Sequence, residues 1–174
     1  MNEADEKSAQ LEEAIDRWGD AVYRLALCRT GTTHDAEDVA QNVFLNFYEY
    51  FKKANDPEHA KAWLLRATIN SCKNLKGSSW ASKVTRMPTE DIATLRDAVG
   101  WTDDAFPSDP GPISEALSKL PSKQRTAIHL FYGEGYKTEE IAMLTGERPA
   151  TVRSHLRRAR KRLEKILGED YDWT

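Results

Sequence analysis

The chain has 174 residues, 40% of them hydrophobic and 30% charged, with a net charge of −3; that balance belongs to a folded protein of one domain or two small ones and excludes a chain too polar to build a core. No stretch approaches the roughly 18 uninterrupted apolar residues of a membrane span, and the opening MNEADEKSAQ is acidic and polar, unlike a secretory signal, so no membrane partner is expected and the expected compartment is the cytoplasm. Only Cys28 and Cys72 occur, with no CxxC and no paired His at ligand spacing; no metal site is read from them, and both are expected to be reduced and mostly buried.

The first segment reads as helices. Ser8 can cap a run in which Leu11, Ile15, Trp18, Val22 and Leu25 recur at spacings of four and three, a core-facing stripe that ends near Arg29 to Gly31. Thr32, Thr33 or Asp35 can cap the next helix, where Val39, Val43, Phe47 and Phe51 form one row, widened by Ala40, Phe44 and Tyr48. Asp56 and Pro57 break that helix, and a third begins near Glu58 and runs past Trp63, Leu64, Ala67 and Cys72 towards Leu75 or Lys76.

Residues 77–112 change character. GSSW, Pro88, Gly100, Pro107 and the DPGP tetrad at 109–112 leave no sustained apolar period, so this is read as a linker, with a short amphipathic turn allowed around residues 90–99. Beyond it, Ser114 can cap a short helix carrying Leu117 and Leu120, and Pro121 suits the first position of the next, with Gln124, Ala127, Ile128 and Phe131 inward. Thr138 can cap a helix over residues 139–144, Gly146 is a left-handed stop, and Pro149 opens a long helix. Two helices joined by a short Gly-containing turn, the second rich in cations, describe a helix-turn-helix with a recognition helix.

Charge is divided unevenly along the chain. Residues 1–76 carry 10 basic and 13 acidic residues, 77–112 carry 3 and 6, and 113–174 carry 12 and 9, so only the last part is positive. Within TVRSHLRRARKRLEKIL, at about 100° per residue, Val152, Leu156, Ala159, Leu163, Ile166 and Leu167 share a stripe of roughly 100°, while Arg153, Arg157, Arg158, Arg160, Lys161, Arg162 and Lys165 cover the rest. An ordinary exposed helix interleaves acids with bases for mutual support. Here the eight basic residues between Arg148 and Lys165 face a single acid, Glu164, and such one-signed crowding points to a polyanionic partner.

The stretch ALSKLPSKQRTAIHLFYGEGYKTEEIAMLTGERPATVRSHLRRARKRLEKIL resembles region four of the sigma factors of bacterial RNA polymerase, and DAEDVAQNVFLNFYEYF followed by KAWLLRATINSCKN resembles their region two. With the segment between them, the likeness covers about residues 11–167 in the order and spacing of the small extracytoplasmic-function (ECF) group. It implies an all-α chain of two small helical domains, an N-terminal bundle over residues 1–76 and a helix-turn-helix over 113–174, joined by a flexible acidic linker over 77–112. It also implies a promoter-specificity subunit that binds core RNA polymerase and promoter DNA, with no cofactor, and it raises an anti-sigma factor as a further partner.

The resemblance assigns faces to residues. In relatives the helix matching residues 35–51 docks on the polymerase clamp; Asp38, Gln41, Asn42 and Leu45 are the candidates here, because the Val39–Val43–Phe47 row must be buried. The loop and helix matching residues 52–76 melt and read the minus-ten element, for which Lys53, Asn55, Lys61, Arg66, Asn70, Lys73, Asn74 and Lys76 can line the strand, with Trp63 or Trp80 as stacking groups; Trp63 fits the core better, on the apolar side with Ala67. For the minus-thirty-five element the matching positions are Arg148, Thr151, Arg153, Ser154, Arg157 and Arg158, with Arg153, Ser154 and Arg157 nearest bases and Arg160, Lys161 and Lys165 on phosphate or polymerase.

Three departures from the pattern stand out. NLKGSSWASK lacks the arginines that relatives often carry after the third helix, and each missing phosphate contact flattens the salt slope by about 0.9. Glu147 occupies a place where relatives put a small aliphatic, and Arg148 replaces a common Ser cap, a loss of about 1 kcal/mol that predicts a looser turn or a pairing of Glu147 with a nearby arginine. His155 stands where many relatives have Arg. No glycine-rich phosphate loop, nucleophile–base pair or metal cluster is present, so no catalysis is expected. Two other readings remain open from the residues: a free-standing helix-turn-helix regulator, and a sigma-like interaction protein that does not melt DNA.

Overall fold

The computed structural model describes residues 2–51, 56–75 and 112–168. They form helices in two compact units, one built by α1 to α3 and one by α4 to α7, and among them no strand occurs. The expected linker lies outside the described residues except for Pro112, where α4 starts.

In the first unit α1 spans Glu3–Thr30. It begins well before Ser8: Asn2 is the cap, its Oδ1 accepting the Asp5 N–H at 2.9 Å. Acids at Glu3, Asp5 and Glu6 suit the positive end of the helix dipole, which is why the polar opening joins the helix instead of preceding it. Ile15, Val22 and Leu25 of the expected stripe are buried, whereas Leu11 and Trp18 are half-buried. Gly31, at φ 79°, closes the helix in the left-handed conformation that glycine adopts without a Cβ penalty. Thr32 caps α2, Thr33–Tyr50, by accepting from the Asp35 N–H. The row Val39, Val43, Phe47 and Phe51 is buried with Ala36, Ala40 and Phe44, as its period requires.

Helix α3 runs Pro57–Leu75 and buries Leu64, Leu65, Thr68, Ile69 and Cys72 against the other two. Trp63 closes the end of this core. It is half-buried, with its ring edge-on to Phe47 at 5.7 Å and to Phe51 at 5.8 Å between centroids, an arrangement that aromatic quadrupoles favour.

The second unit begins with α4, Pro112–Ser118, three residues earlier than the Ser114 cap predicts; Leu120, expected on this helix, lies beyond its end but is buried. Pro121 caps α5, Ser122–Ile128, rather than opening it. A π turn over His129–Gly133 continues α5, and its shifted register leaves Phe131 half-buried and Tyr132 exposed. Helix α6 spans Thr138–Thr145, so Thr138 is its first residue and not its cap; there Glu140 accepts the Lys137 N–H at 2.7 Å. Gly146, at φ 73°, donates its N–H to the Ala142 carbonyl and reverses the chain. Pro149 then opens α7, Pro149–Leu167, which packs on α4, α5 and α6.

Candidate nucleic-acid interface

Helix α7 buries Val152, Leu156, Ala159 and Leu163, four of the six apolar residues of its stripe. Ile166 is a correction to the expected face: it is 40% exposed, and Leu167 is half-buried, because the stripe runs past the end of the helices it rests on. The opposite surface carries the cations. Arg148, Thr151, Arg153, Arg157, Arg158, Lys161, Arg162 and Lys165 are exposed and Ser154 is half-buried. Among the described residues Arg148, Arg153, Arg157 and Arg158 take no carboxylate partner. A ridge of unneutralised guanidinium groups on a rigid helix is the electrostatic form of a phosphate- and base-gripping surface.

One arginine leaves the ridge. Arg160, expected on phosphate or polymerase, turns to the π turn instead: its Nε donates to Tyr132 Oη at 2.8 Å and its guanidinium carbon lies 5.6 Å from both the Phe131 and Tyr132 ring centroids. Stacking of this kind is worth about 0.5–1 kcal/mol at an exposed site, enough to tie the C-terminal half of α7 to the helix behind it.

At the other end of α7 lie the two unusual residues of the turn, Arg148 and Glu147. Arg148 is the N-cap but its side chain makes no capping bond. Glu147 does not pair with an arginine: Oε1 is 3.2 Å from Lys123 Nζ of α5, and Oε2 is 3.1 Å from His155 Nε2, one turn into α7. The Glu147 and His155 side chains are only 18% and 16% exposed. The imidazole nitrogens meet no partner at hydrogen-bond angles, so the 3.1 Å approach is a close polar contact and not a hydrogen bond. Rather than loosening the turn, these residues cross-brace it, a pairing that sequence distance concealed.

In the first unit Arg66, Asn70, Lys73 and Asn74 are all exposed and fall within about 100° of one another on α3. Lys61 lies on the other side, half-buried at the first turn, and the structure does not bring it to the same strip. Trp63 borders the strip with one edge in the core. Lys53, Asn55, Lys76 and Trp80 lie outside the described residues.

On α2, Asp38, Gln41, Asn42 and Leu45 are all half-buried and share one arc of about 100° away from Val43 and Phe47. Asn42 is partly committed to the fold, its Nδ2 donating to Ser71 Oγ of α3 at 3.4 Å. Burial raises the Asp38 carboxyl above its ordinary range, opposed by His34 and reinforced by Asp35; His34 Nε2 stands 3.5 Å from Asp38 Oδ2. Among the described residues no group of three His, Cys, Asp or Glu is placed to hold a metal ion, and no helix is long and apolar enough to cross a membrane.

The pattern described as sigma-70 region 2 matches residues 14–82, and that described as sigma-70, region 4 matches residues 111–163. RNA polymerase sigma factor SigV of Bacillus subtilis is 33% identical over 152 residues, covering 85% of each chain. The RNA polymerase sigma-E factor of Streptomyces coelicolor is 30% identical over 167 residues, covering 94% of this chain and 89% of its own, and the ECF RNA polymerase sigma factor SigM of Mycobacterium tuberculosis is 28% identical over 147 residues, covering 84% and 71%. Among solved structures, CnrH in complex with the cytosolic domain of CnrY shares the fold with a TM-score of 0.59 at 21% identity, covering 92% of this chain and 89% of the other. The helix-turn-helix with its cationic ridge, the three-helix bundle, and relatives alike over most of their length lead to one conclusion: this chain belongs to the ECF group of RNA polymerase sigma factors.

Proposed function

We propose that this sigma factor directs core polymerase to two-element promoters with the following division of residues. Arg148, Thr151, Arg153, Ser154, Arg157 and Arg158 bind the minus-thirty-five element, with Arg153, Ser154 and Arg157 towards base edges. Arg66, Asn70, Lys73 and Asn74, joined by Lys53, Asn55 and Lys76, track the minus-ten strand, and Lys61 contributes from the far side of α3. Asp38, Gln41 and Leu45 dock on core polymerase, with Asn42 serving both that face and its bond to Ser71. The working units are residues 1–76 and 113–174, joined by the acidic segment 77–112. The protein acts in the cytoplasm and carries out no chemical step of its own.

The observation that supports this most directly is the exposed ridge of α7, on which four arginines take no carboxylate partner among the described residues. A helix built only to cover a core would neutralise them. The solved relatives CnrH and RpoE of Bartonella quintana were crystallised with CnrY and the anti-sigma factor NepR, and an anti-sigma partner is proposed here on that likeness.

The test is transcription from a library of promoters by core polymerase with and without the full chain. Specific initiation that depends on the chain is expected. DNA binding that needs no core would favour the free-standing regulator, and core binding without initiation the interaction protein.

A further inference from the structure

Glu147 and His155 depart from the family's pattern separately in sequence, yet in the structure they form a single contact, with Lys123 as its third member. The contact spans three places: α5, the turn before α7, and the second turn of α7. We propose that Glu147 is a positioning residue for promoter recognition, clasping Lys123 and His155 so that the recognition helix is held at its working angle, an assignment that rests on the reading of α7 as the minus-thirty-five reader.

The argument is one of geometry and burial. The turn lacks a side-chain cap, since Arg148 makes no capping bond, so the first turn of α7 needs another tether. A carboxylate at 18% exposure beside an imidazole at 16% is poorly hydrated, and a poorly hydrated charge is tolerated only when paired. Both ring nitrogens of His155 are buried without hydrogen bonds, and Nε2 faces the Glu147 carboxylate at 3.1 Å.

Several charged groups on the elements around α7 have contacts of their own or lie exposed. Glu115 and Lys119 of α4 pair with each other, and Arg125 of α5 donates to the Ser118 and Leu120 carbonyls. Glu140 of α6 accepts from the Lys137 N–H, Glu139 is exposed, and His129 of the π turn faces Glu134 at 3.9 Å. On α7 itself the nearest cations, Arg148, Arg158 and Arg162, are exposed.

A clasp and a simple charge effect predict opposite signs. If Glu147 merely adds a negative charge near DNA, removing it tightens binding; if it positions α7, removing it weakens binding. The experiment uses the full chain assembled with core polymerase and a duplex selected from random upstream sequence by the wild-type holoenzyme. Affinity is measured alongside thermal unfolding of each free chain. Glu147→Gln should weaken binding by about three- to tenfold. His155→Gln should bind at a similarly weakened level, while His155→Arg, which sets a cation beside Glu147, should keep the wild-type level. A structural role alone would not give that arginine rescue. Binding that is unchanged or tighter in Glu147→Gln, or unchanged in His155→Gln, overturns the clasp while leaving α7 as the DNA reader. Failure of the wild-type holoenzyme to select any upstream sequence takes down both readings.

Discussion

Helices α3 and α7 are the same length, 19 residues, and each presents a polar strip away from its core, yet the strips differ in kind. On α7 the strip is made of exposed cations, with Glu164 the one acid between Arg148 and Lys165. On α3 it holds Arg66 and Lys73 interspersed with Asn70 and Asn74. A rigid duplex offers a dense array of phosphates to a matching array of cations, while a separated strand offers bases whose edges amides can pair with. The contrast implies that docking on the upstream element is driven mainly by charge and that contact with the melted strand relies more on amide hydrogen bonds and stacking.

The strongest way to break this comparison is Arg153→Ala with Arg157→Ala. Two exposed guanidinium groups are lost without touching the core, and each specific contact is worth about 1–3 kcal/mol, so upstream-element affinity should fall by about thirtyfold or more, as measured on duplex DNA with holoenzyme, while association with core stays intact. Unchanged promoter choice would remove α7 from the DNA.

Next in size is Leu163→Ala. Leu163 is 2% exposed on the buried face of α7, and its truncation should cost about 2–4 kcal/mol of stability, seen as earlier unfolding of the second unit and, through it, weaker upstream binding. The comparison sharpens with Asn70→Arg and Asn74→Arg together. If α3 tracks a single strand, each added phosphate contact should steepen the dependence of log affinity on log salt by about 0.7, bringing α3 closer to the behaviour of α7.

A smaller effect is expected at Arg160. Because its guanidinium stacks on Phe131 and Tyr132 and bonds the Tyr132 hydroxyl, Arg160→Ala should lower stability by about 1 kcal/mol and weaken DNA binding less than Arg157→Ala does.

The smallest effect concerns Asp38. Burial raises its carboxyl above the ordinary range in the folded chain, against the pull of His34 and with the push of Asp35. The folded state then binds the proton more tightly than the unfolded state, so the stability this group contributes is present at low pH and is lost as pH rises through the carboxylate range. Asp38→Asn should therefore gain slightly in unfolding temperature relative to wild type between about pH 3 and pH 7, while losing affinity for core polymerase if the carboxylate docks there. A stability difference from wild type that is the same at both pH values would argue against burial as the cause.

Local pattern made much of this molecule legible in advance. The 3.6-residue period placed Val39, Val43 and Phe47 of α2 and Val152, Leu156 and Leu163 of α7 in the core, and Gly31, Gly146 and Pro149 marked the ends of helices where backbone geometry demands glycine or permits proline. These signals are short-range: each depends on neighbours within a turn. Cap positions were less legible, since Asn2 caps α1 in place of Ser8, and Thr138 and Pro121 took places other than those predicted; several nearby polar residues could satisfy the same orphan N–H groups, and packing chose among them.

What the sequence by itself determined is the all-helical fold, the family, and the single-signed face of α7, because periodicity, turn residues and net charge are properties of order along the chain. Only the tertiary structure decided which of those charges are spent inside the protein. Arg160 reaches Tyr132 across 28 residues, Asn42 reaches Ser71 across 29, and Glu147 draws Lys123 and His155 together from different helices. Such pairings follow from how helices are angled in three dimensions, and a chain read residue by residue assigns the same cation to solvent, to DNA or to its own carboxylate until the packing places a partner within reach.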